Sequence, residues 1–204
     1  EIRFCDWSSD VCSSDLRLYS TEPRRLSATG SPMNHDSYSD TYIRGVLRDY
    51  KVFAMVGASP NQVRPSYFAM KYLMAKGYRV IPVNPNHAGK EILGQTVYAS
   101  LRDIPEPVDV VDIFRNSEAA LEITKDAIAI GAKAVWMQLG VRNDEAARLA
   151  EEAGLKVVMN RCPKIEYGRL SGEIAWAGVN TRTLSSQRPI LGPQGFQKLS
   201  IGKK

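Results

Sequence analysis

The residues with the clearest chemical potential lie between an apolar run and a helical pattern. Residues 52–57 are apolar and end in glycine, and Ala-Ser follows. Small residues let backbone amides approach a ligand closely, and Pro65 suits the first turn of a helix with a partial positive charge at its N-terminus. Arg64 is either a phosphate partner or a solvated loop charge. The order of strand, small-residue turn and helix predicts an anion-binding turn that suits nucleotide phosphates.

Polar or small residues also follow each later apolar run. In an open parallel sheet, ligands bind beyond the carboxyl ends of the strands. The residues that follow the runs are therefore the candidate site, and no catalytic or metal-ligating residue is assigned. The predicted ligand-binding residues are Gly57, Ala58, Ser59, Arg64, Asn84, Pro85, Phe114, Arg115, Gln138, Gly140, Cys162 and Pro163.

Alternating strand and helix patterns position these residues. Apolar runs predict strands at residues 52–57, 78–83, 96–98, 108–114, 134–139 and 155–159. Helical spacing predicts helices at residues 40–50, 65–76 and 117–130, and one that Asn143 caps and Gly154 ends. This alternation is typical of right-handed βαβ units. The predicted fold class is therefore α/β, a single doubly wound parallel sheet flanked by helices.

Other residues that could carry chemistry favour structural roles. Asp112 lies within an apolar run, so we expect it to make a cap or loop hydrogen bond. His35 and His87 have no carboxylate or cysteine at metal-ligand spacing. Phe68 and Tyr72 share a helical face, and we expect both to pack in the core.

Charge and length limit the organisation of the chain. Its 204 residues allow one α/β domain with extensions. Residues 33–170 hold 18 basic and 16 acidic residues, so this part is nearly neutral, whereas residues 171–204 hold five basic and one acidic. We therefore expect no large nucleic-acid surface. No apolar run reaches the length of a membrane span. Residues 33–170 are the predicted domain and residues 171–204 a basic C-terminal extension.

The first segment differs from the rest. Residues 6–16 resemble a translated sequencing adapter, so we interpret residues 1–32 as a disordered, non-native leader, with Met33 as the natural start. Cys5 and Cys12 belong to that leader. Cys162 then has no partner for an intrachain disulfide, which is typical of a reducing, cytoplasmic location.

The turn and the second strand argue against a dinucleotide. A dinucleotide site favours Gly-x-Gly-x-x-Gly after the first strand and an acidic residue after the second. Here the turn has the single glycine Gly57, and the second strand ends in Asn84 and Pro85. NAD is therefore disfavoured.

Five motifs in order carry a resemblance to a known family. They are Val56-Gly57-Ala58-Ser59, Val83-Asn84-Pro85, Val111-Asp112-Ile113-Phe114-Arg115, Trp136-Met137-Gln138-Leu139-Gly140 and Asn160-Arg161-Cys162-Pro163-Lys164-Ile165-Glu166. Over residues 40–170 the chain resembles the small CoA-binding proteins, Rossmann-like domains similar to the CoA-binding domain of succinyl-CoA synthetase α subunits. The resemblance implies bound coenzyme A, with the diphosphate over the Gly57 turn and adenosine near Asn84 and Pro85.

The function that follows is binding of CoA or acyl-CoA without established turnover. Succinyl-CoA synthetases carry a phosphorylated histidine in a second domain, whereas this chain has no histidine after His87. The alternatives are an NADP-type nucleotide-dependent enzyme with a degenerate phosphate loop and a CoA-sensing regulatory subunit. A homodimer is compatible with each of them.

The sequence around Cys162 leads to the hypothesis that this cysteine takes part in redox chemistry. Arg161 and Lys164 flank it in the sequence, and nearby positive charge favours the reactive thiolate. CoA ends in a thiol, so the hypothesis is a reversible mixed disulfide between Cys162 and CoA. The alternative is a small buried packing residue.

Overall fold

A five-stranded parallel sheet forms the centre of the domain. The computed structural model describes residues 33–172 of the chain. The central strands are β1 (Val52–Val56), β2 (Arg79–Val83), β5 (Val110–Ile113), β6 (Ala134–Met137) and β7 (Lys156–Val158), and the hairpin strands β3 (Glu91–Ile92) and β4 (Gln95–Thr96) follow β2. The helices are α1 (Asp40–Asp49), α2 (Pro65–Ala75), α3 (Ala120–Ala129), α4 (Asp144–Glu152) and α5 (Pro163–Leu170). Short 3₁₀ turns lie at Pro85–His87 and Leu101–Asp103.

The strand order creates a topological switch point. The order is β2-β1-β5-β6-β7 and all four pairings are parallel. The chain winds outward from β1 to β2 on one side, then returns to β5 on the other side of β1. A crevice therefore opens between the carboxyl ends of β1 and β5. The predicted doubly wound α/β fold is confirmed.

Each face of the sheet buries its own apolar layer. Alternate side chains such as Ala54 and Val111 pack with α3 and α4, whereas Phe53, Met55 and Trp136 pack with α1 and α2. Because both faces are covered, the central strands are apolar almost without interruption, which explains their strong signal in the sequence.

Most predicted elements are present, with two corrections. The residues after Cys162 form α5, a helix that the sequence interpretation missed. The strand predicted at 96–98 is instead β4 at Gln95–Thr96, while Tyr98 makes an isolated bridge to Val83. The predicted leader, residues 1–32, and the extension from residue 173 onward lie outside the described residues. Within residues 33–172, no helix combines the length and apolarity needed to cross a membrane.

Two tyrosine hydroxyls hydrogen-bond to backbone groups along the outer edge of β7 and just after it. The Tyr42 hydroxyl accepts from the Val157 N–H at 3.0 Å and donates to the Val157 carbonyl at 3.1 Å. The Tyr38 hydroxyl accepts from the Met159 N–H at 2.8 Å, and the two rings stack with centroids 5.7 Å apart. An edge strand otherwise leaves such groups unpaired. The segment that contains α1 therefore covers the open edge of the sheet.

Replacing Tyr42 with phenylalanine tests this role. The change keeps the ring and removes both hydrogen bonds, so it should lower the free energy of unfolding by about 1–2 kcal/mol in urea denaturation. Tyr50→Phe is the matched control, because its hydroxyl makes no hydrogen bond within residues 33–172, and it should change stability by less than about 0.5 kcal/mol. Equal losses in the two variants would contradict the edge-covering role.

Candidate functional site

A cavity of about 1000 Å³ lies at the carboxyl ends of the central strands. Its wall combines residues that follow β1, β2, β5, β6 and β7 with the first turns of α2 and α5. Eight predicted site residues line it: Gly57, Ser59, Arg64, Asn84, Phe114, Arg115, Gln138 and Cys162. The fold thus brings together residues that are more than a hundred positions apart in the chain, from Gly57 to Cys162.

Four predicted site residues do not line this cavity. Ala58 and Pro163 are buried, while Pro85 and Gly140 are exposed beside it. Ala58 acts through its carbonyl, which accepts from the Asn84 side chain at 2.7 Å and ties the β1 turn to the β2 turn. These four residues follow strands as predicted but are not part of the cavity wall.

Gly57 allows the turns after β1 and β5 to meet. Its φ is +91°, and a Cβ added there would lie 2.7 Å from the Phe114 carbonyl oxygen and 3.0 Å from Cδ of Arg115. Its N–H donates to the Val83 carbonyl at 2.9 Å, while the Phe114 N–H donates to the Val56 carbonyl at 2.8 Å. The glycine is therefore needed at the switch point for packing, before any ligand is considered.

The charged side chains that line the cavity are all basic among the described residues. Arg64, Arg115 and Lys164 line the cavity, and no aspartate or glutamate does so among the described residues. Neither Arg64 nor Arg115 forms an ion pair with an acidic side chain of residues 33–172. Arg64 also precedes the first turn of α2, where Pro65 has no N–H and the Tyr67 N–H bonds to the Arg64 carbonyl, so the Ser66 N–H is the one without a backbone partner among the described residues. This combination attracts anions.

Sequence reasoning missed part of the wall because it did not predict α5. Lys164 and Ile165 enter the site from the first turn of that helix. Phe68 was expected in the core, but its side chain is 51% exposed and lies on the wall, with the Lys164 ammonium 5.9 Å from its ring centroid. The buried face of α2 is set by Ala69, Met70 and Leu73 instead, so Phe68 lies on the neighbouring face.

Asp112 lies beneath the cavity. Its side chain is fully buried, and the Gln138 amide Nε2 lies 2.9 and 3.2 Å from its two carboxyl oxygens. Burial raises the pKa of Asp112 to about 8, against a smaller lowering by the Gln138 hydrogen bond. The expected loop hydrogen bond is present, because its partner Gln138 is the first residue of the loop that follows β6.

The surroundings of Cys162 differ from the sequence expectation. Burial raises the pKa of its thiol above the ordinary value, and the backbone N–H of Ile165 and the charge of Lys164 only oppose this effect. Arg161 does not support a thiolate, because its guanidinium turns away to Glu166 at 3.5 Å and to the carbonyls of Asn160 and Asp36. The thiol lies on the cavity wall in its protonated form at neutral pH.

The part of the chain that the structure describes contains no group of histidine, cysteine or carboxylate side chains placed to hold a metal ion. His35 lies 3.1 Å from Glu151 and 2.8 Å from the Tyr38 hydroxyl, away from the cavity wall.

A doubly wound parallel sheet with a cation-lined crevice beyond its switch point places the chain among the Rossmann-like domains. A family model described as the CoA binding domain matches residues 51–168. The chain belongs to this CoA-binding domain family.

Individual relatives agree with this assignment. The uncharacterized protein YneT of Bacillus subtilis (strain 168) is 34% identical over 129 residues, which cover 63% of this chain and 94% of YneT. The chain is also similar to the solved structure of a hypothetical protein from Pyrococcus horikoshii OT3, with 43% sequence identity and a TM-score of 0.65. The match covers 70% of this chain and 99% of that protein. An ADP-forming acetate–CoA ligase of Archaeoglobus fulgidus is 30% identical over 142 residues. The match covers 65% of this chain but only 20% of that ligase.

Replacing Gly57 with alanine tests the packing at the switch point. The left-handed φ and the contact with the Phe114 carbonyl should together lower the free energy of unfolding by about 3 kcal/mol or more in urea, without any ligand. Gly77→Ala is the control, since its φ is +83° but no atom lies within 4 Å of an added Cβ. It should cost only about 1 kcal/mol. If Gly57→Ala costs no more than Gly77→Ala, the close contact is not a constraint.

Proposed function

We propose that this chain binds coenzyme A or an acyl-CoA in the cavity at the carboxyl edge of its sheet. The observation that carries the proposal is the wall itself, which presents Arg64, Arg115 and Lys164 and no carboxylate among the described residues. CoA carries a diphosphate and a 3′-phosphate, so an anionic ligand of this kind meets charges of the opposite sign. Membership of the CoA-binding domain family supports the same ligand.

The length of the cavity suits an elongated ligand. From the end of β2 to the end of β7 there are four strand spacings, or about 19 Å. We place adenosine at Asn84 and the diphosphate over the Gly57 turn, between Arg64 and Arg115. The pantetheine arm then runs across β5 and β6 toward Gln138 and Cys162. Residues 33–170 supply the whole of this path.

A thermal-shift series with CoA, dephospho-CoA, ATP, NAD and NADP tests the proposal. A ligand that binds only the folded state raises apparent stability. CoA at roughly 100 times its dissociation constant should raise the Tm by about 5 °C or more, while NAD and NADP should not. A larger shift with NADP would favour the alternative of a nucleotide-dependent enzyme with a degenerate phosphate loop.

Variants of the two cavity arginines test whether the thermal shift caused by CoA comes from binding in this cavity. Arg64→Gln and Arg115→Gln should each reduce the shift caused by CoA, because each removes a cation from the wall. Arg148→Gln is the control, since Arg148 lies on α4 and pairs with Glu152 at 2.6 Å. If all three variants respond to CoA like the original protein, the ligand lies outside this cavity.

The position of Cys162 supports a second step, a reversible mixed disulfide with CoA. In this exchange the Cys162 thiolate attacks one sulfur of CoA disulfide. A protein–CoA disulfide forms, one CoA leaves as its thiolate, and the proton of Cys162 goes to solvent. Because burial raises the pKa of the thiol, the exchange should be slow at neutral pH and faster under alkaline conditions.

Intact-mass measurement after incubation with CoA disulfide tests this step. The full chain with Cys5→Ser and Cys12→Ser should gain one CoA, which a reductant removes, and the gain should be faster at about pH 9 than at about pH 7. Adding Cys162→Ser should abolish the adduct. Tight binding of CoA without any adduct would leave Cys162 as a packing residue of the wall.

A further inference from the structure

Asp112 is an isolated carboxyl group at the centre of the sheet. In the registers of β5 it lies opposite Met55 on β1 and Trp136 on β6. No cation of residues 33–172 lies at ion-pair distance, and its hydrogen-bond partner among them is the Gln138 amide. A buried carboxylate without a cation is costly. Burial accordingly raises the pKa of Asp112 to about 8, so that the carboxyl is mostly protonated at neutral pH.

Gln138 connects this carboxyl to the cavity. Its side chain contacts Asp112 below and forms part of the cavity wall above. An amide group has a donor end and an acceptor end, whereas a carboxylate only accepts. In the structure, Nε2 of Gln138 lies 2.9 and 3.2 Å from the two carboxyl oxygens. This is the orientation that an ionised Asp112 requires, and it leaves Oε1 for the cavity.

Protonation reverses this arrangement. A protonated carboxyl carries an O–H that needs an acceptor, and a half-turn of the Gln138 amide brings Oε1 to it. The Nε2 donor is then available on the cavity side. The same residue presents a donor to the ligand in one state of Asp112 and an acceptor in the other.

We propose that the protonation state of Asp112 selects which end of the Gln138 amide faces the cavity, and that the protonated state recognises a carbonyl oxygen of the ligand. The inference rests on the proposed binding of CoA and names the ligand group that Gln138 contacts. CoA offers amide carbonyls in its pantetheine arm, and an acyl-CoA adds the thioester carbonyl. Gln138 is thus a specificity-determining residue and Asp112 its positioning residue.

The other groups near Asp112 do not account for a transition near pH 8. Met55 and Trp136 do not titrate, and the Trp136 indole N–H already donates to the Arg161 carbonyl at 2.9 Å. Immediately before α5, burial raises the pKa of the Cys162 thiol above its ordinary value. The charge of Asp112 adds to this effect, and the Ile165 N–H and Lys164 oppose it. The thiol therefore loses its proton at higher pH than Asp112.

The Asp112→Asn variant distinguishes the protonated state of Asp112 from the ionised state. The asparagine amide can donate to Oε1 of Gln138 at every pH, so it mimics the protonated carboxyl. Between about pH 7 and about pH 9, the affinity of the original protein for acetyl-CoA should fall about fivefold, the effect of one hydrogen bond lost from most molecules. The affinity of the Asp112→Asn protein should stay constant. Both are measured by calorimetric titration in a Cys162→Ser background, which removes the thiol.

Two further measurements identify the ligand carbonyl that Gln138 contacts and test whether charge repulsion between Asp112 and the ligand phosphates explains the fall in affinity. If the Asp112-dependent fall occurs with both CoA and acetyl-CoA, Gln138 contacts a pantetheine amide; if it occurs with acetyl-CoA alone, the contact is the thioester. Raised salt weakens through-space repulsion between Asp112 and ligand phosphates but leaves the selection of the amide end intact. A fall that disappears in high salt therefore overturns the inference.

The protein without ligand provides an independent check. The folded-state pKa of Asp112 lies above its unfolded value of about 4, so the Tm of the original protein relative to Asp112→Asn should fall as pH rises from about 4 to about 8. Without this fall Asp112 is ionised throughout and the inference fails. If CoA binds but both proteins show the same affinity profile, the inference fails while the proposed function stands; if CoA binds at no pH, the proposed function fails.

Gln138→Met is the second variant, should Asp112→Asn not fold. It removes both ends of the amide while keeping the side-chain volume, so the pH dependence of acetyl-CoA affinity should disappear. A fall of the original size in Gln138→Met would overturn the inference.

Discussion

The close contact between Gly57 and the Phe114 carbonyl is the constraint on which this site depends. It lies at the switch point, where the chain leaves β1 for one side of the sheet and later returns as β5 on the other. Glycine is required there, because the positive φ disfavours a Cβ and the 2.7 Å approach of the Phe114 carbonyl oxygen leaves no room for one. The contact holds the β1 turn and α2 next to Arg115, and so brings both arginines to one crevice.

The carboxyl edge of the sheet carries basic side chains at the cavity surface and a buried acidic side chain beneath them. At the surface of the cavity, Arg64, Arg115 and Lys164 are offered to an anion without competition from wall carboxylates within the described residues. Beneath it, burial keeps Asp112 mostly protonated at neutral pH, so the site does not carry a negative charge that would oppose the ligand. A buried acid is thus compatible with an anion-binding cavity, although it destabilises the fold as the pH rises.

Sequence reasoning recovered the fold because the buried strands are nearly uninterrupted apolar runs with helices between them. It also named eight residues of the cavity wall, since strand ends in a parallel sheet share one edge. It missed α5, which is short, contains Gly168 and begins directly after Cys162, so that its pattern resembles a loop. The role of Phe68 depends on its contact with Lys164 of α5, and that of Asp112 on a contact between β5 and the loop after β6. Contacts of this kind leave no local signal.

Amide chemical-shift mapping of the ¹⁵N-labelled protein during titration with CoA tests the central claim most directly, because it locates the ligand on the molecule. The account predicts large shifts for the amides of Gly57, Ser59, Gln138 and Cys162, which span the cavity from β1 to β7. It predicts small shifts for Lys51, Asp109 and Lys133 at the opposite edge of the sheet. Shifts concentrated at that opposite edge, or no shifts with saturating CoA, would contradict it.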